Sequence, residues 1–174
     1  MMKYLKTSLA ILFALFAFNS IAVLAQNGSK FTDPFVEYSF DIPDDRWKMT
    51  VKPTELNPSV EYVFVDRNDG HLAVRKTTAP QDALMSDIIR EEEQKLQFMR
   101  GYVAGKEERF AGKLNGAIFN FEFVERGRPK SGRYYFLRSG TTVYILRFTG
   151  YSDKLRSIQH YADSIARTFE AKKS

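Results

Sequence analysis

The chain has 174 residues, 44% hydrophobic and 27% charged, with 26 Lys+Arg against 21 Asp+Glu and no cysteine. This composition belongs to a folded chain, and the length admits a core that needs neither metal nor disulfide staples. A net charge of +5 is too mild to argue for nucleic acid, and the lack of cysteine excludes disulfides and a lipid-modified amino-terminal cysteine.

The first element is MMKYLKTSLAILFALFAFNSIAVLAQ, in which Lys3 and Lys6 precede an apolar run from Leu9 to Phe18, and Val23 and Ala25 suit the pockets of a signal peptidase. Residues 1–25 therefore predict a secretory signal peptide. An uncleaved anchor is the competing reading, because Ser8 to Ala25 approaches the roughly 20 residues that span a bilayer. Asn19 and Ser20 interrupt that run, and no stop-transfer flank follows it. Cleavage would lower the net charge of +5 by two, and the expectation is an exported protein, periplasmic or secreted, with no remaining transmembrane segment.

Residues 26–34 are polar and turn-forming and predict a flexible leader. A single domain follows over residues 35–171. Val36 to Ile42 alternates strictly between apolar and polar and predicts a half-buried strand. Pro43, Asp44 and Asp45 predict a turn, after which Trp47, the only tryptophan, closes one end of the core. Val60 to Asp66 and His71 to Thr77 predict an antiparallel pair joined by a hairpin loop, Arg67 to Gly70.

Leu84, Ile88, Ile89, Leu96 and Met99 recur near helical spacing. They predict an amphipathic helix capped by Thr78 or Asp82, with Pro80 in or before its first turn, and ended by Gly101. Tyr102 to Phe110 and Ala117 to Arg126 predict two more strands, with Ala117, Phe119, Phe121 and Phe123 sharing one face. Gly127 to Gly132 is a loop by composition.

The stretch RYYFLRSGTTVYILRFTG predicts a hairpin turning at Ser139 and Gly140. In its second strand Val143 and Ile145 project from one face, and Tyr144, Leu146 and Phe148 from the other. A strand apolar on both sides is buried on both sides. A last helix is predicted from Asp153 to about Ala171, with Leu155, Ile158, Ala162, Ile165 and Phe169 inward and Lys172 and Lys173 at its end. The fold class is α+β, a mainly antiparallel sheet of about six to eight strands packed with two main helices. Burial of the central strand on both faces extends this to an α/β/α sandwich.

His71 and His160, the only histidines, read as surface or boundary residues, and no metal site is expected. Ser157, His160 and Asp163 resemble a triad only in composition, because side chains three apart on a helix lie side by side and the serine has no oxyanion donors. Asp66 to Gly70 fails as a calcium loop: its glycine comes one place early and Thr77 stands where the bidentate glutamate belongs. The acid pairs, Asp44 with Asp45 and Glu107 with Glu108, read as solvated and unperturbed, as does the run Glu91 to Glu93. No cofactor and no enzymatic activity are expected.

Two features carry a binding reading beside a structural one. Arg126, Arg128, Lys130 and Arg133 concentrate at one loop and suit an acidic partner or anionic lipid headgroups, or else protect a hairpin edge. Tyr134, Tyr135 and Tyr144 belong to an aromatic-rich sheet that either is all core or leaves a pocket for a small apolar ligand.

YSFDIPDDRW, FAGKLNGAIFNFEF, YYFLRSGTTVYILRFTG and the closing SIARTF together resemble the PsbP-like group of small α/β/α domains, across about Val36 to Phe169. That group includes photosystem II extrinsic subunits, a Ran-binding nuclear transport factor and many bacterial exported proteins. The resemblance implies a binding or accessory module and transfers no functional residue. Bacterial relatives of this shape are often lipoproteins, and this chain, without cysteine, departs from them. The expectation is an exported, non-enzymatic cell-envelope accessory protein, monomeric or weakly associating, whose partner is a protein or an envelope surface. The alternative is a carrier of a small apolar ligand.

Overall fold

The computed structural model of the chain describes residues 28–172, so the signal peptide expected over residues 1–25 lies outside the described residues. Ten strands and three helices follow: β1 Ser29–Thr32, β2 Tyr38–Ile42, β3 Trp47–Val51, β4 Val60–Phe64, β5 Asp66–Thr78, α1 Met85–Leu96, β6 Val103–Phe110, β7 Gly116–Glu125, β8 Arg128–Ser139, β9 Thr142–Tyr151, α2 Ser152–Ser157, α3 Gln159–Thr168 and β10 Glu170–Ala171. Seven strands form one antiparallel sheet in the order β3-β4-β5-β9-β8-β7-β6, and β1, β2 and β10 form a second sheet of three.

The double-sided strand sits at the middle of the large sheet, as its pattern requires. Val143 and Ile145 of β9 enter a core closed by α1 through Ile88, Ile89 and Leu96, with Phe119, Phe121 and Phe123 of β7 beside them. Tyr144, Leu146 and Phe148 enter the opposite core, which the small sheet and α2–α3 close through Tyr38, Phe40, Leu155, Ile165 and Phe169. Each fully buried side chain of this size contributes about 1.5–3 kcal/mol of transfer free energy, so the two-layered cover is the main stabilising device. At one edge of the sheet, β6 is exposed along nearly its whole length and carries Lys106, Glu107, Glu108 and Arg109, charges that oppose pairing with another chain.

Several local expectations are corrected. Ser29–Thr32, inside the expected leader, is a strand because burial of Phe31 against Phe40 draws it onto β2. Residues 67–70 are not the hairpin loop. The chain reverses at Val65, held at φ 60, and Arg67 to Gly70 bulge out of β5 so that Val63 next pairs with His71. The Asp66 carboxylate secures the bulge by accepting from the Asn68 and Asp69 amides. Gly127 to Gly132 is likewise not a loop: Arg126 and Gly127, at φ 51 and 78, make a two-residue turn, and β8 resumes at Arg128.

The first helix has no side-chain cap from Thr78 or Asp82 and begins only at Met85, which leaves Leu84 65% exposed. The Arg138 guanidinium donates to the carbonyls of Pro80, Gln81 and Ala83, which pins the link that precedes the helix without capping its amides. The last helix is broken at Ile158, which leaves helical geometry at φ −104 and ψ 9. It then ends before Phe169, whose ring stacks on Tyr38 at 5.1 Å, so Glu170 and Ala171 pair with β2 as a strand.

Candidate functional site

The four basic residues expected at one loop are separated by the pleat of β8. Arg126 lies in the exposed turn. Arg128 stacks on Tyr151, its guanidinium carbon 3.6 Å from the ring centroid. Lys130 is buried and paired with Glu125. Arg133 points to the α2–α3 face, where it donates from Nη2 to Asp163 Oδ1 at 2.9 Å, from Nη1 to Asn120 Oδ1 at 2.9 Å and from Nε to the Tyr135 hydroxyl at 2.7 Å. Tyr135 in turn donates to Asp163. Burial pushes the Tyr135 phenol well above its usual range, so it acts as a neutral donor. Ser157, His160 and Asp163 form no triad, because Asp163 is committed to this network and the Ser157 hydroxyl donates to the Lys154 carbonyl.

The three tyrosines do not line one pocket. Tyr134 faces the α1 core, Tyr135 and Tyr144 face the other, and all three are buried. The Tyr144 hydroxyl donates to Glu37 Oε1 at 3.0 Å, and its ring packs on Tyr38 and Phe169. The acids are not all unperturbed either: hydrogen bonds from Arg46 hold Asp44 well below the usual carboxylate range, with Tyr161 adding to the effect. Trp47 closes its end of the core against Phe64 and Phe148, with its Nε1 unpartnered.

Two exposed regions remain. The first is the end of the sheet where the α1–β6 link meets the β7–β8 turn. The Val124 amide donates to the Arg100 carbonyl at 2.8 Å, which sets Arg100 beside the turn that carries Arg126. Phe98, two residues before Arg100, is 93% exposed, and Met99 and Val103 are also exposed. Neither Arg100 nor Arg126 has an ion-pair partner among the described residues. Phe98 was not among the expected binding residues, and its only signal in the sequence is an aromatic just past Leu96, the last inward position of the helix.

The second region is the part of the α1-side sheet face that α1 leaves uncovered, over β4, β5 and β9. Here His71, expected at a surface or boundary, is buried with 8% exposure and its Nε2 lies 2.9 Å from Glu61 Oε2. Burial lowers the His71 pKa, and the charges of Arg67 and Lys130 add to this, outweighing the bond to Glu61. Burial pushes Glu61 upward, but His71, Arg67 and Arg75 together hold it below the usual range. At neutral pH a neutral His71 therefore donates its Nε2–H to an ionised Glu61.

No protein-family model and no curated protein matches the chain. Solved structures do match. The cyanobacterial PsbP (CyanoP) of Synechocystis sp. superposes with a TM-score of 0.59 at 12% identity, over 86% of this chain and 95% of that one. The Ran-binding protein Mog1p of Saccharomyces cerevisiae gives 0.61 at 9% identity, over 84% and 96%. LpqN of Mycobacterium tuberculosis, a protein involved in cell envelope biogenesis, gives 0.54 at 14% identity, over 84% and 92%. At these identities the likeness is one of architecture: the chain has a PsbP/Mog1-like fold, an antiparallel sheet covered on both faces.

Proposed function

We propose that this chain is an exported, non-enzymatic accessory protein of the cell envelope that docks on a negatively charged partner surface through the end carrying Phe98, Arg100, Arg126 and Arg128. The observation that carries this reading is a 93% exposed phenylalanine at the same end as arginines that have no ion-pair partner among the described residues. A lone exposed apolar residue is ordinary, but an exposed aromatic at the same end of the fold as several arginines without ion pairs has the composition of a docking surface. The signal-like amino terminus supports export, and the names of two fold neighbours, one Ran-binding and one of envelope biogenesis, support a binding role.

The test is retention of the purified protein on envelope membranes and envelope extract at low ionic strength. Each arginine near an anionic surface contributes about 1 kcal/mol. Reversing Arg126 and Arg128 to Glu should therefore lower retention by about tenfold or more, and Phe98→Ser should lower it further. Added salt should weaken wild-type retention in the same direction. Equal retention of the wild type and the reversed variant overturns the proposal.

A further inference from the structure

The uncovered sheet face has a property that does not depend on the docking end. Its floor is Ala73 of β5, with Arg147 of β9 directly opposite on one side and Glu61 of β4 on the other. His71 and Arg75 flank Ala73 on its own strand, and Arg67 closes one side of a recess of about 230 Å³. The alternation of β9 explains why Arg147 is there at all: it shares a face with Val143 and Ile145, which α1 buries, and it stands where that cover ends.

Three guanidinium groups and one carboxylate line this recess. Glu61 is shared among Arg67 at 3.5 Å, Arg75 at 3.5 Å and His71 at 2.9 Å, so it is already fully engaged. Arg147 has no carboxylate partner among the described residues, and its guanidinium carbon is held 4.9 Å from the Tyr134 ring centroid. Three positive charges against one negative leave an excess of two. Residues diagonal across a strand pair, as Arg75 and Arg147 are, lie about 7–8 Å apart, a spacing that is repulsive for like charges but that a tetrahedral oxyanion can bridge. The volume is below the roughly 300–1,000 Å³ of pockets for drug-sized ligands and suits a single charged group.

We propose that this recess binds a phosphate group, taken by Arg147 with Arg75 and Arg67 at its flanks. Planar guanidinium forks are suited to bidentate contact with such oxygens, and the stacking of Arg147 on Tyr134 orders it in advance. Glu61 acts as a positioning residue that holds the two flanking arginines in place. The group can be free phosphate, a phosphate monoester or a lipid headgroup, which share this chemistry.

The experiment is a ¹H–¹⁵N titration of the purified protein with inorganic phosphate, and separately with phosphatidylcholine vesicles containing phosphatidylglycerol. Saturable shifts at the Ala73 and Thr149 amides are expected, with a dissociation constant on the order of 1 mM. Arg147→Gln should weaken binding by about tenfold or more, as loss of a charged hydrogen-bond donor does. Arg90→Gln, on the far side of α1, should leave it unchanged. If Arg147→Gln does not fold, Arg75→Gln takes its place with the same expectation. Vesicle binding displaced by phosphate assigns the site to a headgroup, and phosphate binding without vesicle binding assigns it to a soluble phosphate; both support the recess. No saturable response to phosphate, or an equal response in the arginine variants, overturns it. Vesicle binding that phosphate does not displace, and that Arg126→Glu abolishes, belongs to the docking end; together with no saturable response to phosphate it leaves that reading standing while this one fails.

Discussion

Replacing Asp163 by Ala removes the only carboxylate paired with Arg133 among the described residues while leaving the guanidinium in place. The two side chains are 11% and 30% exposed, so the arginine is nearly desolvated and the aspartate partly wet. Breaking a buried pair by deleting one partner costs about 3–5 kcal/mol. The lower end applies here, because Arg133 keeps Asn120 Oδ1 and the Tyr135 hydroxyl as acceptors, and water can enter from the Asp163 side. The expected loss is about 3 kcal/mol, a large share of a total of about 5–15 kcal/mol. With a urea slope of about 2 kcal/mol per molar, the midpoint should fall by about 1.5 M, followed by fluorescence of the buried Trp47. Removing the network altogether, as Arg133→Met with Tyr135→Phe and Asp163→Leu, should cost less than Asp163→Ala alone, since no unpaired charge is left. A midpoint for Asp163→Ala within about 0.3 M of wild type refutes the reasoning, and so does a triple variant whose loss equals the sum of its singles.

Phe169→Ala should destabilise by about 3–5 kcal/mol, because it empties a site packed by Tyr38, Phe40 and Tyr144. The same assay checks it, and a loss below about 1 kcal/mol would contradict the packing described. Gly116→Ala would place a methyl carbon 1.7 Å from the Phe136 carbonyl oxygen, so it should prevent β7 from pairing with β8 at that point. Faster hydrogen exchange of the Gly116 to Phe119 amides reports this, and unchanged protection counts against it. Stability should also fall on acidification in two stages. The folded His71 pKa is depressed, so its contribution is complete above the unfolded value of 6.5 and is lost as pH falls through the folded one. Glu170, held at about 2 by Lys113, Lys30 and Ser39, adds a second loss between 4.5 and that value. His71→Gln should flatten the first stage and spare the second; an unaltered first stage in that variant assigns it to another group.

Much of the architecture could be read from local pattern. The two-sided apolarity of Val143 to Phe148 predicted a central strand under two layers, and the Phe119, Phe121 and Phe123 alternation predicted the α1-side core. The helix stripe of Ile88, Ile89 and Leu96 was legible for the same reason, since periodicity records which side of an element meets apolar neighbours. Element ends were less so. The link into α1 is held by Arg138, more than fifty residues away, and no local signal announces a segment pinned by a distant guanidinium.

What sequence alone determined about this protein is the alternation of its strands, the amphipathic helices and the signal-like amino terminus. These depend on neighbouring residues in the chain. Tertiary structure decided the rest: the pairing of β1 and β10 with β2, the break at Ile158, and the neutralisation of Arg133 by Asp163. It also divided the basic stretch at Arg126 to Arg133: Arg126 and Arg128 stay exposed, while Lys130 and Arg133 pair with Glu125 and Asp163, and the pleat sends Lys130 and Arg133 to opposite faces. The gathering of Arg67, Arg75 and Arg147 around Ala73 depends on register between strands distant in sequence. Charge that is scattered along the chain becomes a site only when that register sets it side by side.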